Sequence, residues 1–131
     1  MANKGPPPTT LVSFSELRQS SVGDKVRFLG CVTGYNAKTG EVTLQHKSQD
    51  CRDKTALVDV NLLLQTLNTS LMRIGEWVNV TGYITKQESK LSHNGKNVGR
   101  FTSVQAIIYW SAGAIKVDEY EEAVAETRLA L

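Results

Sequence analysis

The side chains in this sequence that could do chemistry are cations and aromatic rings, which recur where the chain turns polar. The candidates for contact with a nucleic-acid strand are Tyr35, Lys38, Arg52, Lys54, Lys86, Lys90, Lys96, Arg100 and Phe101. Lysine and arginine neutralise phosphates, and an exposed aromatic ring stacks on a base with about 1 to 3 kcal/mol. The pattern predicts weak, salt-sensitive contact with a single strand. The alternative, in which the rings belong to the core and the cations are only solvated, stays open.

Residue types that catalysis needs are present, but their spacing does not make them act together. His46 and His93 lie in or near polar stretches without a neighbour that would orient the ring, so both are expected on the surface. Asp50, Asp53 and Asp59 lack the spacing and the glycine of a calcium loop. The glycine-containing runs GCVTG and NGKNVG do not lead from a strand into a helix with a phosphate-binding lysine. The sequence therefore predicts a non-enzymatic protein without cofactor, metal ion or small-molecule substrate.

Composition narrows the class of protein further. The 131 residues suffice for one domain with its own core. Cys31 and Cys51 lack the paired spacing of a zinc or redox site, which favours reduced thiols inside the cell. No apolar run approaches the roughly 20 residues of a membrane helix, so no membrane contact is expected. The net charge is +2, but the last sixteen residues hold two basic and five acidic side chains, which leaves a basic body beside an acidic end.

One strand organises the rest of the predicted structure. Within Lys25–Tyr35 the apolar residues Val26, Phe28 and Val32 alternate with polar ones, which is typical of a half-buried strand. Gly30 interrupts the run where a bulge or bend would let the two halves pair with different neighbours. A strand shared in this way predicts a small closed barrel.

Two helices are predicted, one before the first strand and one after the third. Ser13 and Glu16 form a capping-box pattern before a short helix that precedes the first strand. The runs EVTLQH and TALVDV alternate as strands two and three. Behind Asn61, a good N-cap, leucines recur at helical spacing at positions 63, 64, 67 and 71. A helix is therefore predicted between strands three and four.

Two further strands complete the layout. The runs WVNVTGYITK and FTSVQAIIYW read as strands four and five, and Val104, Ala106 and Ile108 are expected to point inward. Between these runs, Asn94 and Gly95 suit the tip of a long hairpin. The fold class predicted is all-β with flanking helices, an OB-fold: a five-stranded Greek-key barrel with a helix between strands three and four and a C-terminal α-helix.

A narrow apolar stripe marks the end of the chain. Its members alternate at spacings of three and four: Val117, Tyr120, Val124, Thr127 and Leu131. The stripe predicts a helix over 116–131 that is closer to a coiled-coil seam than to a broad core face. Packing on its own barrel and docking on a partner's helix both stay open. The predicted organisation is a flexible Pro-rich leader over 1–10 and one OB-fold domain over 11–131, which includes this helix.

Four runs, VRFLGCVTGYN, EVTLQH with TALVDV, IGEWVNVTGYI and EYEEAVAETRL, resemble the Ten1 family, which provides the smallest subunit of the CST telomere-capping complex. The resemblance covers roughly residues 11 to 131, and it extends to the smallest subunit of replication protein A. It implies a single OB-fold that binds a Stn1-like OB subunit and, through it, the large CST subunit. It also implies a nuclear protein at telomeric chromatin that helps to protect single-stranded telomeric DNA.

The resemblance also implies partner-binding residues. It assigns Arg27 and the final helix around Tyr120, Val124 and Arg128 to the contact with the Stn1-like subunit. Together with the stripe, the partner-binding set is Arg27, Val117, Tyr120, Val124, Thr127, Arg128 and Leu131. Two alternatives remain at this point: an autonomous single-strand binder and a small subunit of replication protein A. The leader has no counterpart in the family, and the segment Lys86–Arg100 differs from it in length.

Overall fold

The computed structural model describes residues 8–46, 54–91 and 97–113. Within these ranges the elements are β1 (Thr10–Leu11), a first 3-10 helix (Phe14–Gln19), β2 (Lys25–Asn36), β3 (Glu41–Gln45), β4 (Lys54–Asp59), a second 3-10 helix (Asn61–Leu63), a third (Thr69–Met72), β5 (Trp77–Leu91) and β6 (Asn97–Ser111). The five predicted strands are β2 to β6. The predicted hairpin tip at Asn94 and Gly95 and the predicted C-terminal helix lie outside the described residues, as does most of the leader.

Strands β2 to β6 close into a barrel. The hydrogen-bonded order is β1-β2-β3-β4-β6-β5, and a further pairing of β2 with β5 closes the ring. β4 and β6 run parallel, whereas β2–β3, β3–β4, β5–β6 and β2–β5 are antiparallel. This order confirms the predicted five-stranded barrel. β1 adds a short parallel pairing to β2, in which Thr10, expected in the loose leader, already pairs with Val26.

β2 is shared between two neighbours, as the sequence predicts. Residues 25–31 pair with β5 and residues 31–36 pair with β3, so the change of partner falls at Cys31. The irregularity in pairing lies between Val32 and Gly34 and not at Gly30. A Cβ atom on Gly30 would lie 3.1 Å from Leu44 Cβ and 3.1 Å from Phe14 Cε2. The glycine at this position therefore makes room for the core.

The interior is filled by the residues that the alternating patterns place there. Val26, Phe28 and Val32 of β2 are fully buried, and so are the inward residues of β3, β4 and β5, which are Val42, Leu44, Ala56, Val58, Val78, Val80 and Ile84. Removing apolar surface from water at about 25 cal/mol per Å² is the main force that holds such a barrel closed. The first 3-10 helix contributes Phe14 and Leu17 to one end of this core.

The capping box predicted at the first helix is present. The Glu16 carboxylate accepts hydrogen bonds from Ser13 N at 3.0 Å and from Ser13 Oγ at 2.8 Å. The helix that follows is a 3-10 helix of six residues that ends at Gln19. Its cap fixes the angle at which Phe14 enters the barrel.

The helix predicted between strands three and four is not one continuous helix. Two short 3-10 helices occupy this connection, and Asn61 is not an N-cap. Its side-chain amide instead donates to Thr39 O and to Asp59 Oδ1, both at 2.8 Å. Asn68 starts a new cap by accepting from Ser70 N at 3.0 Å. Short polar side chains that bond to nearby backbone compete with a continuous helix and divide the segment.

The predicted inward orientation of Ile108 is also wrong. Val104 and Ala106 are buried as expected, but the side chain of Ile108 is 52 % exposed and that of Tyr109 is buried. Gly82 pairs with Ala106 while Thr81 pairs with Ile108, so Ile107 is an extra residue in β6. A β-bulge of this kind inverts the alternation beyond it. Ile108 therefore faces outward.

His46 is not a surface residue. It is 8 % exposed at the end of β3, where its ring lies 6.0 Å from that of Phe14 and 5.2 Å from that of Trp77, centroid to centroid. His46 continues the inward alternation of Val42 and Leu44, which the polar sequence around it conceals. His93 lies outside the described residues.

Candidate interaction surfaces

The outer face of β2, β5 and β6 carries a cation held on an aromatic ring. The guanidinium carbon of Arg27 lies 5.1 Å from the centroid of the Trp110 ring. Arg27 pairs with Thr81, which pairs with Ile108, so the arginine reaches across β5 to β6. A cation over a tryptophan face contributes about 0.5 to 1 kcal/mol at an exposed site. The pair therefore favours one orientation of the Arg27 side chain on the outside of the barrel.

Arg27 keeps its hydrogen-bonding capacity. Its side chain is exposed, and within the described ranges it has neither a hydrogen bond nor an ion pair with another residue. Five N–H donors of a guanidinium are thus available to a carboxylate, which they can bind in a two-pronged geometry. The assignment of Arg27 to a binding surface stays a prediction, and its exposed position is compatible with it.

Polar residues on β5 lie buried beneath this pair. Asn79 is 5 % exposed and Thr81 is 6 % exposed, although both face outward from the barrel. The Oδ1 atom of Asn79 has no hydrogen-bond donor in the part of the chain that the structure describes. A buried carbonyl oxygen without a donor costs about 1 to 3 kcal/mol. Within the described ranges this face therefore carries one buried acceptor without a donor.

The rest of the predicted partner surface lies beyond the described ranges. It comprises Val117, Tyr120, Val124, Thr127, Arg128 and Leu131. Two described residues that the sequence analysis missed share the outer face with Arg27: Trp110 is in contact with it, and Ile108 lies two strands away. The tryptophan at the end of the fifth strand was a visible signal, but its orientation depends on the bulge at Ile107.

The candidate nucleic-acid residues are divided between two faces of the sheet. Phe101 is half-buried on the outer face, paired with Thr55 on one side and with Glu88 on the other. Lys86 lies near it on the same face and forms an exposed ion pair with Glu88 at 3.5 Å. An exposed pair of this kind contributes little to stability, so Lys86 remains available to a phosphate.

Lys54 and Arg100 belong to the opposite side of the strands. They pair directly with each other, and Lys54 has the same orientation as the inward residues Ala56 and Val58. Lys54 Nζ donates to Ser15 O at 3.2 Å, which directs the ammonium group to the first 3-10 helix. Both side chains are only partly exposed. The structure therefore separates this pair of cations from Phe101.

The turn between β2 and β3 carries two more candidates in a fixed geometry. Tyr35 is 37 % exposed and Lys38 is exposed. Asn36 Oδ1 accepts from Lys38 N at 3.0 Å, and Gly40 closes the turn with φ of +69°. Asn61 lies against Gly40 so closely that a side chain at position 40 would collide with it. This tight contact holds the turn, and with it Tyr35 and Lys38, in place.

Three candidates cannot be placed as side chains. Arg52 and Lys96 lie outside the described residues, and Lys90 is described only through its backbone, which pairs with Gly99 in the β5–β6 hairpin. Both arms of that hairpin are strands, so β5 and β6 extend well beyond the barrel wall.

In the described ranges no three His, Cys, Asp or Glu side chains group as metal ligands. Nor does any helix in those ranges have the length and apolar character needed to cross a membrane.

A closed five-stranded Greek-key barrel with exposed cations and rings on its outer faces defines an OB-fold binding module. The chain belongs to the Ten1 family of telomere-capping CST complex subunits, whose family model matches residues 1–125. It is therefore a telomere-capping OB subunit. A search of curated proteins found no match.

Solved structures agree with this fold. Over 95 % of this chain and 96 % of the other, the barrel is similar to a chain in the S. pombe Stn1–Ten1 complex, with TM-score 0.69 and 23 % identity. It is similar to S. pombe Ten1 over 93 % and 99 % of the two chains, with TM-score 0.67 and 24 % identity. A chain of U. maydis replication protein A bound to single-stranded DNA matches over 94 % and 92 %, with TM-score 0.59 and 20 % identity. At these identities the similarity establishes the fold.

Proposed function

We propose that this chain forms a heterodimer with a Stn1-like OB subunit, and through it joins the large CST subunit, to protect single-stranded telomeric DNA in the nucleus. The proposed contact combines the outer face at Arg27 with the C-terminal residues Val117, Tyr120, Val124, Thr127, Arg128 and Leu131. Membership of the Ten1 family supports the partner, and so does the S. pombe complex, in which a chain of similar fold is paired with Stn1. The family match also favours CST over replication protein A as the home complex.

One observation carries this proposal. The guanidinium of Arg27 lies over the ring of Trp110 yet has no hydrogen-bonding partner among the described residues. A long side chain loses conformational entropy when a partner immobilises it. Because Trp110 already restricts the guanidinium of Arg27, less entropy is lost when Arg27 binds a carboxylate. Removing one residue of a charged pair that is buried at an interface weakens the complex by about 2 to 5 kcal/mol. Arg27 therefore suits a protein partner.

The test is co-purification and titration with the Stn1-like subunit from the same organism. Arg27→Glu is expected to raise the Kd at least 30-fold, which corresponds to about 2 kcal/mol. Lys38→Glu, an exposed cation reversed in the β2–β3 turn, is the matched control and should bind with the wild-type Kd. Val124→Glu tests the C-terminal residues in the same assay. Wild-type elution as a lone monomer in the presence of the subunit would refute the heterodimer.

A second activity, weak direct contact with single-stranded DNA, has its own observation. Phe101 and Lys86 share the outer face of β5 and β6, and Tyr35 and Lys38 stand on a turn that Asn61 holds. A ring beside cations suits a base with its phosphate. The proposed set also includes Arg52, Lys90 and Lys96, and includes Lys54 and Arg100 as contacts at the end of the barrel.

Fluorescence anisotropy with a G-rich oligonucleotide across a salt series tests this activity. Phe101→Ala should weaken binding to all sequences by about tenfold, as the loss of one stacked base predicts. Lys38→Glu should weaken binding and also flatten its dependence on salt. Arg27→Glu is the control here and should bind DNA like the wild type. A wild-type Kd no better than millimolar at low salt would exclude direct contact.

A further inference from the structure

An apolar groove lies where β6 runs on beyond the end of β4. β4 pairs with β6 only as far as Asp59 opposite Gln105, so in the described part of the chain the last residues of β6 have no strand on that side. The connection between β4 and β5 takes its place and leaves a groove of about 340 Å³. Its apolar lining consists of Leu63, Leu67, Leu71, Ile107, Ile108 and Tyr109.

The floor of this groove is firmly held. Tyr109 is 6 % exposed, and its hydroxyl donates to Leu71 O at 2.8 Å, which ties the connection to β6. Burial, followed by the charge of Glu76, raises the pKa of Tyr109, so the phenol keeps its proton and this hydrogen bond even at an alkaline pH at which an ordinary tyrosine ionises. The groove is thus preformed in the isolated chain, which lowers the cost of filling it.

Exposed apolar side chains continue beyond the groove. Ile108 at its lip is 52 % exposed, and on the connection Leu62 is 64 % and Leu64 is 39 % exposed. An apolar groove with an exposed isoleucine at its lip is a candidate place for another molecule to bind. Among the described residues no charged side chain lines the groove, and its polar groups, Thr66, Asn68 and the Tyr109 hydroxyl, already bond to nearby backbone. It therefore lacks the free polar groups that converge in a small-molecule site. A protein segment is the occupant that this chemistry fits.

The groove is continuous with the face that carries Arg27. Ile108 pairs with Thr81, and Thr81 pairs with Arg27, so Ile108 and Arg27 lie two strands apart, about 10 Å. Trp110 extends outward on the same strand as Ile108 and meets the guanidinium of Arg27. An apolar groove and an exposed cation therefore adjoin on one surface.

We propose that this groove is a second part of the surface that binds the Stn1-like subunit. It takes an apolar segment of that subunit, which also presents a carboxylate to Arg27. The proposal rests on the proposed heterodimer and adds the connection between β4 and β5 to the contact. The bulge at Ile107 has a role in it, because the bulge alone turns Ile108 towards the partner.

Titration of the full-length chain with the Stn1-like subunit tests the groove. Ile108→Glu and Leu67→Glu are expected to raise the Kd at least tenfold, because each places a charge in the apolar contact. Val22→Glu is the matched control: Val22 is 63 % exposed in the turn before β2, away from the groove, and its variant should bind like the wild type. Circular dichroism of each variant checks folding, and Ile108→Ser, a change at an exposed site, replaces any variant that fails to fold.

Hydrogen exchange of the free chain and of the heterodimer gives a second readout. The subunit should slow exchange at the backbone amides of Leu67, Leu71 and Ile108. If Ile108→Glu and Ile108→Ser both bound with the wild-type Kd and exchange were unchanged, while Arg27→Glu still weakened the complex, the proposed role of the groove would be refuted and the heterodimer would stand. If Ile108→Glu instead changed the mass of the isolated chain in light scattering and left the Kd unchanged, a second copy would be the occupant and the proposal would fall. If the wild type did not bind the subunit at all, the heterodimer itself would fail.

Discussion

Gly82→Ala should damage the barrel far more than a glycine-to-alanine change usually does. Gly82 lies in β5 opposite Ala106, beside the bulge at Ile107. A Cβ atom at this position would collide with the carbonyl oxygen of Gln105 and lie 2.9 Å from both Gln105 C and Val104 Cγ1. Two of these atoms belong to the backbone of β6, so they cannot move aside as a side chain can. The strands must separate locally.

The expected cost follows from these contacts. Overpacking costs about 1 to 3 kcal/mol, and the loss of one or two strand hydrogen bonds adds about 0.5 to 1.5 kcal/mol each. We therefore expect a loss of about 2 to 6 kcal/mol from the free energy of unfolding. This is a large part of the roughly 5 to 15 kcal/mol that a domain possesses. The outward orientation of Ile108 should be lost with it, since the bulge depends on the close approach of these strands.

Urea unfolding followed by the fluorescence of Trp77 and Trp110 measures this loss. Gly34→Ala is the matched control, because its nearest neighbours are Thr43 Cβ and Oγ1 at 3.9 Å, an ordinary contact. It should change stability by no more than about 0.5 kcal/mol. Gly30→Ala should lie between the two, since its Cβ would meet only side chains, at 3.1 Å. Equal stability of the Gly82 and Gly34 variants would refute the packing argument.

Three further changes test separate contacts. Tyr109→Phe should lose about 1 kcal/mol with the hydrogen bond to the connection. The same change should flatten the dependence of stability on pH. Because the pKa of Tyr109 is raised in the folded chain, above the ordinary tyrosine pKa of 10.0 the unfolded chain loses a proton that the folded chain keeps. In urea titrations above this pH, the stability of the wild type should therefore fall faster than that of Tyr109→Phe. Asn61→Ala should cost about 1 to 2 kcal/mol and speed amide exchange at Lys38 and Gly40, because the turn loses its side-chain anchor; unchanged exchange would contradict this role. Glu16→Ala should lower the free energy of unfolding by about 1 kcal/mol through the lost capping box, measured against Glu88→Ala as an exposed control.

The sequence predicted what simple periodicity controls. Alternation located β2 to β6 and the inward residues of the first four of these strands. The pattern of Ser13 and Glu16 located the first cap. These features depend on neighbours a few residues apart, so a local pattern contains the information.

Features that depend on distant neighbours could not be predicted in this way. The bulge at Ile107 arises from the packing of β6 on Gly82, and it inverts every side chain beyond it. His46 is buried because Phe14 and Trp77 come from other parts of the chain. Asn61 reads as an N-cap in isolation, but it binds a turn about twenty residues earlier. The exposed position of Arg27 on β2 follows from the alternation, whereas the positions of Trp110 and Ile108 on the same face became visible only with the register.

The sharing of β2 between two neighbours has a consequence for the speed of folding. Its pairing with β3 spans a short turn, so the hairpin of β2 and β3 can form within microseconds of collapse. Its pairing with β5 joins residues about fifty positions apart, and that of β4 with β6 joins residues equally distant. Such remote pairings form late and slow the search for the native topology. Until they form, β2 and β4 each present an unpaired edge, and during this interval the chain is most exposed to association with the wrong neighbour.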